Sequence, residues 1–176
     1  MDGSPLVVGV CGSRRRDSHT RSALRHALDA ASDAGADTEL LDLGAVDLPL
    51  YHPDKDLAEQ GDAEAVVALT DRADALLIGS PVYHGSYSST LKNWHDYCGS
   101  DEFDDTVAGL VAVAGGSNYE ATLEHMQSTF RHVHAHVVSE QVGVPHGDVA
   151  AVADRLDTLG RTVVEAVRMR RARSVA

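Results

Sequence analysis

Ser13, Arg15, Ser18 and Thr20 fall within eight residues, directly after the apolar run Pro5-Leu-Val-Val-Gly-Val-Cys11. Hydroxyls, guanidinium groups and free backbone N–H groups at the carboxyl end of a strand suit a phosphate. Two familiar phosphate loops are excluded. A dinucleotide fold needs G-x-G-x-x-G so that backbone approaches a pyrophosphate, and here Gly12 is followed by Ser-Arg-Arg-Arg-Asp. A Walker A loop needs G-x-x-x-x-G-K-[ST], which is also missing. What remains matches a terminal monophosphate, with several oxygens and about two charges. Arg14, Arg15 and Arg16 form the one dense basic cluster before the C-terminal tail. On these residues alone, a helix start capped by Ser18 beside solvated arginines fits equally well.

The chain must supply elements that hold this loop. Its 176 residues, 43% of them hydrophobic, suit one globular domain, residues 1–176. Pro5–Cys11, Asp37–Leu43, Asp74–Pro81, Thr106–Ala114 and Ala135–Ser139 read as strands. Between them, apolar residues recur at helical spacing from Thr20, over Ala63–Arg72, from Ser89 to Tyr97, and at Leu123, Met126, Phe130 and Val133. Gly35 suits the end of the first helix, and Asp148 suits the start of a last helix over Val152 to Val167. The tail Arg168–Arg173 is expected to fray into solvent. Five alternations of strand and helix predict a three-layer, doubly wound, five-stranded parallel sheet, in either Rossmann-like or flavodoxin-like order. Ligands then bind beyond the carboxyl ends of the strands. The segments 12–20, 81–88 and 115–119 should converge there, with the turn-rich stretch Pro49–Asp56 as a bordering loop.

Charge and cysteine content narrow the partners. A net charge of −12 argues against nucleic acid and anionic membranes. No apolar run reaches the roughly 18 residues of a membrane span, and the N-terminus lacks a signal-peptide pattern, so a soluble, cytoplasmic protein is expected. Two lysines against thirteen arginines fit a salt-adapted proteome or a genome that favours arginine codons. Cys11 and Cys98 suggest neither disulfides nor an iron–sulfur cluster, and Cys11 reads as core. His132, His134 and His136 straddle a helix end and a strand, which gives them no shared metal geometry, and no metal is expected. A G-x-S-x-G nucleophile elbow is absent, as are the paired aspartates of a phospho-acceptor domain.

The segment Pro81-Val-Tyr-His-Gly-Ser-Tyr-Ser-Ser-Thr-Leu-Lys-Asn-Trp-His-Asp96 closely resembles the P-x-Y-x-G-S-x-x-x-x-L-K-N-x-x-D motif of the NADPH-dependent FMN reductase family. Gly12, Ser13, Arg15 and Ser18 resemble that family's G-S-x-R-x-x-S-x-N phosphate motif, and Ala114-Gly-Gly resembles its turn beside the flavin ring. The resemblance implies a flavodoxin-like sheet of order 2-1-3-4-5, non-covalent FMN, NAD(P)H as co-substrate, and a homodimer or homotetramer. By the same resemblance Ser13, Arg15, Ser18 and Thr20 hold the phosphate, with His19 beside them. Pro81, Val82, Tyr83, His84, Gly85 and Ser86 wrap the isoalloxazine, and Gly115 and Gly116 let backbone reach the ring edge. No catalytic side chain is implied. The reaction would be hydride transfer from NAD(P)H through FMN to a small-molecule acceptor: a quinone, azo compound, metal oxyanion or free flavin. A flavodoxin-like electron carrier without NAD(P)H activity is the alternative. Three departures stand out. Thr20 replaces an Asn, Ser88-Ser89 replaces a common Pro-Gly, and Ser117-Asn-Tyr119 replaces a more glycine-rich stretch. Lys92, Asn93 and Asp96 read as helix capping and salt bridging, and Trp94 as core or subunit interface.

Overall fold

Five parallel strands, β1 (Leu6–Cys11), β2 (Asp37–Asp42), β3 (Ala75–Pro81), β4 (Val107–Val113) and β5 (His136–Val144), form one sheet of order β2-β1-β3-β4-β5. The computed structural model describes residues 3–174. This is the flavodoxin-like order, one of the two that the alternation allowed. The central strands β1, β3 and β4 are near-continuous apolar runs because helices cover both of their faces.

On one face lie α1 (His19–Asp33) and α6 (Ala153–Ser174). Ala23, Leu24, Ala27 and Leu28 of α1 meet Leu156, Leu159, Val163 and Val167 of α6 over Val7, Leu77 and Val111. The two helices cross closely because Gly160 sits against α1. A Cβ there would lie 2.2 Å from the Ala27 carbonyl oxygen. The other face carries α2 (Ala63–Asp71), α3 (Ser89–Tyr97), the short α4 (Ser100–Phe103) and α5 (Glu120–His132). Their core centres on Trp94, Phe103, Phe130 and Met126.

Four sequence expectations change. β5 runs on to Val144 rather than ending at Ser139. It is an edge strand with an irregularity opposite Ala108/Leu110, and its polar centre Ser139-Glu-Gln141 hides its second half from a search for apolar runs. Helix α4 was not expected; four residues carry too little periodicity. Asp148 accepts a hydrogen bond from Ala151 N at 3.2 Å, but it lies ahead of a 3-10 turn over Ala150–Val152 and not at the start of α6. The tail does not fray: α6 continues through it. Arg168 donates to the Ala34 carbonyl (2.7 Å), Arg171 to Asp74 (2.7 Å) and Gly3 O (2.8 Å), and Arg170 pairs with Asp105.

His95 packs against the aromatic cluster, stacked on Phe103 at 5.4 Å and edge-on to Phe130 at 5.0 Å. Both ring nitrogens are shut off from solvent and have no hydrogen-bond partner among the described residues. Burial, with Lys92 and His132 nearby and only Asp96 opposing, lowers its pKa to about 4. The unfolded chain takes up this proton near pH 6.5, and the folded chain does so only near 4. Stability from this group is therefore lost as pH falls from 6.5 towards 4. His95→Phe is expected to flatten that part of the pH profile, measured as urea midpoints of variant and wild type. Parallel profiles would contradict the assignment.

Candidate functional site

The sheet order places the topological switch point between β1 and β3, and the loops after these strands flank it. A cleft of about 290 Å³ opens there, lined by Ser13, Arg15, His19, Thr20, Pro81, Val82, Tyr83, Val113, Ala114, Gly115, His146 and Gly147. Among the described residues no carboxylate lines it, in a chain of net charge −12.

The first wall is the 12–18 loop. Ser18 caps α1, its Oγ accepting from Arg21 N at 3.1 Å. The loop is braced from below by Arg21. Its Nε donates to Asp42 at 2.7 Å, and its other nitrogens donate to the carbonyls of Arg16 (2.9 Å) and Arg15 (3.3 Å). The Asp42 carboxylate in turn raises the Arg21 pKa. Sequence reasoning missed this brace, because nothing in the spacing links residue 21 to the end of β2. Ser13 and Thr20 are buried, while Arg15 is exposed at the mouth. The Arg15 guanidinium forms no ion pair among the described residues. A helix N-terminus, buried hydroxyls and an uncommitted guanidinium thus share one wall.

The second wall follows β3. Val82 N donates to Val113 O (2.8 Å), extending the ladder by one residue. Tyr83 and Ser86 then exchange backbone hydrogen bonds (2.8 and 3.0 Å) around His84 and Gly85, with φ of 50° and 77°. Two consecutive left-handed residues make this a type I′ turn, so Gly85 serves conformation; no atom crowds its Cβ position. The turn leans on α5 through Ser86 Oγ to His125 Nδ1 (3.2 Å) and Tyr87 to Thr129 (3.3 Å). Pro81, Val82 and Tyr83 face the cleft, whereas His84, Gly85 and Ser86 lie beyond its lining.

The third wall comes after β4 and β5. Gly115 lines the cleft with nothing within 4 Å of its Cβ position, so that side is open. Gly116 is equally uncrowded but outside the lining; its carbonyl accepts from His146 N at 2.9 Å. Gly147 N donates to Ala114 O at 3.0 Å. His146 and Gly147 are both left-handed (φ 55° and 67°), and the His19 ring packs on the bare face of Gly147. The sequence does not announce these two residues, because the polar centre of β5 hides the half-strand that leads to them. Pro145-His-Gly after Val142-Gly-Val was the available signal. Of the sequence candidates, Ser13, Arg15, His19, Thr20, Pro81, Val82, Tyr83 and Gly115 converge; Ser18 acts from beneath.

The 49–60 segment is held beside α3 rather than loose. Asn93 Nδ2 donates to Pro49 O (2.8 Å), and its Oδ1 accepts from Tyr51 N (2.9 Å). The buried Gln60 bonds His52 N (2.9 Å) and Lys55 O (3.1 Å), and the Tyr97 hydroxyl lies 3.1 Å from its Oε1. Lys92 pairs with Asp96 one turn on. These residues act structurally, as their spacing suggested. Cys11 and Cys98 are buried free thiols, and burial pushes Cys98 up to about 12, so neither is a nucleophile at neutral pH.

A family model described as NADPH-dependent FMN reductase matches residues 5–148. The chain is 33% identical over 140 residues to the NADPH azoreductase of Bacillus sp. (strain OY1-2), spanning 77% of this chain and 74% of that one. Among solved structures it resembles the NAD(P)H:quinone oxidoreductase from Methanothermobacter marburgensis, with a TM-score of 0.72 at 22% identity over 92% of this chain and 98% of that one. It also resembles a flavodoxin from the domain Archaea, with a TM-score of 0.67 at 13% identity over 93% and 98%. These two likenesses carry the fold alone.

Proposed function

The chain belongs to the NADPH-dependent FMN reductase family, and from that premise we propose that it reduces an azo or quinone-type acceptor with NAD(P)H, through FMN held in the β1/β3 cleft. The observation that carries the reading is the make-up of that cleft. Buried Ser13 and Thr20, the uncrowded Gly115 and an Arg15 in no ion pair line it, and among the described residues no carboxylate does.

In this reading Ser13, Arg15, Thr20 and the amides at the start of α1 hold the phosphate. The peptide groups of 81–83 and 114–115 line the ring, and Gly115 leaves room for it. The bound cofactor supplies hydride acceptance from NAD(P)H and electron delivery to the acceptor. The protein contributes binding and orientation, and no side chain is assigned a proton transfer. Tyr83, exposed by 48%, sits where a flat acceptor or nicotinamide would be covered. Metal oxyanions and free flavins are further acceptors of the same chemistry. Exposed Leu50, Tyr51 and Met169 support association into a homodimer or homotetramer, and two free thiols suit the cytoplasm. Among the described residues no helix is long and apolar enough to cross a membrane.

The test is anaerobic. Protein reconstituted with FMN should be yellow, and NADPH or NADH should bleach it within seconds; an added azo dye or quinone should then restore the colour. Failure to take up FMN would sink the reading. Uptake of FMN with no reduction by either nucleotide would make the protein an electron carrier instead.

A further inference from the structure

We propose that Ser88 is a positioning residue that straps the 12–18 loop to the 81–86 turn, so that the phosphate and ring sites of the cleft are held in fixed register. Two buried hydroxyls make the strap. Ser88 is 2% exposed and Ser80 0%. Ser88 Oγ donates to Gly12 O at 2.6 Å and accepts from Leu91 N at 3.1 Å. Ser88 N donates to Ser80 Oγ at 2.9 Å, and Ser80 Oγ donates to Pro81 O at 2.9 Å. Each hydroxyl donates its one proton and accepts one hydrogen bond, so neither is left unpaired. Gly12 is held through both of its backbone groups, since its N–H donates to Gly79 O at 2.8 Å. A Cβ on Gly12 would sit 2.8 Å from Leu91 Cβ and 3.1 Å from Ser88 Oγ, so glycine is what lets the loop reach the strap.

A proline at this position, which the resemblance leads one to expect, has neither N–H nor hydroxyl and would make none of these bonds. The strap therefore depends on the serine that this chain carries here. The two loops belong to different strands, and a ligand gripping both gains most when their spacing is already set.

The proposal rests on the reading that the 12–18 loop takes the FMN phosphate, and riboflavin, which lacks that phosphate, separates the two. Ser88→Gly keeps a good helix start, since glycine is a tolerated cap, but removes the hydroxyl. Titrated into apoprotein and followed by flavin fluorescence, FMN affinity is expected to fall about tenfold (~1.4 kcal/mol). Riboflavin affinity should stay within twofold of wild type. Ser88→Thr, which retains donor and acceptor, should restore FMN affinity to within twofold. In the apoprotein, amide exchange at residues 12–16 should rise at least fivefold in Ser88→Gly while α3 stays protected. If Ser88→Gly fails to fold, Ser88→Ala carries the same expectations. Unchanged FMN affinity, or an equal fall for FMN and riboflavin, overturns the strap and leaves Ser88 a helix cap. Wild-type protein that binds no FMN refutes the phosphate reading instead, and the amide-exchange result still decides the strap.

Discussion

Arg15→Ala is expected to weaken FMN binding about 10- to 100-fold while leaving the thermal midpoint within about 1 °C of wild type. The size follows from losing one or two charge-assisted hydrogen bonds, worth ~1.5–3 kcal/mol in all where the phosphate is partly covered. The selectivity follows from the free chain. Arg15 lines the cleft, is exposed and forms no ion pair among the described residues, so folding gains little from its guanidinium. Arg15→Lys should fall between the two, because an ammonium keeps the charge but loses the planar fork. Arg21→Ala is the contrasting control. Its side chain holds Asp42 and two loop carbonyls, so its removal should lower stability and FMN affinity together. Equilibrium titration and thermal melts on the three variants give the answer. An Arg15→Ala protein that binds FMN as wild type does would move the phosphate elsewhere.

The contrast between Arg15 and Arg21 also marks how far the sequence could be read. Residues acting through their own loop were legible. The apolar run, the hydroxyls and the arginines fix a strand, a turn and a helix start within fifteen residues, and Ser18 does cap α1. The sheet order was half legible: alternation left two orders open, and only the likeness of residues 81–96, with the 12–18 loop and the 114–116 turn, to a known family's motifs chose between them. Residues acting across the fold were not legible. Arg21 braces the loop through Asp42, Ser88 reaches Gly12 over 76 positions, and His146 enters the cleft from the far edge strand. Each of these depends on strand adjacency, which periodicity does not carry. The edge strand itself was cut short, because one side of an edge needs no continuous apolar run. The fourth loop of the cleft, residues 145–147, hangs on that unread half-strand.

Trp94 tests the layer behind the site, and Trp94→Ala is expected to cost about 3–5 kcal/mol of stability. The side chain is 0% exposed, which makes it core rather than subunit interface. It meets Phe103 edge-on at 5.6 Å and Phe130 at 6.0 Å, and its Nε1 donates to Thr70 Oγ1 at 3.1 Å. Truncation leaves a large cavity and removes two aromatic contacts. It does not strand Thr70, whose hydroxyl still donates to Val66 O at 3.0 Å. Trp94→Phe keeps an aromatic ring in the cluster and should cost far less, about 1–2 kcal/mol for a partly filled space. The functional consequence is indirect. Helix α3 carries Ser88 at its cap and Asn93 against the 49–51 segment, and Trp94 is what seats that helix on the sheet. FMN affinity in Trp94→Ala should therefore fall through partial unfolding, and saturating FMN should recover part of the lost urea midpoint by mass action. A variant as stable as wild type would contradict the packing described, since a side chain of this size cannot leave a filled core without cost.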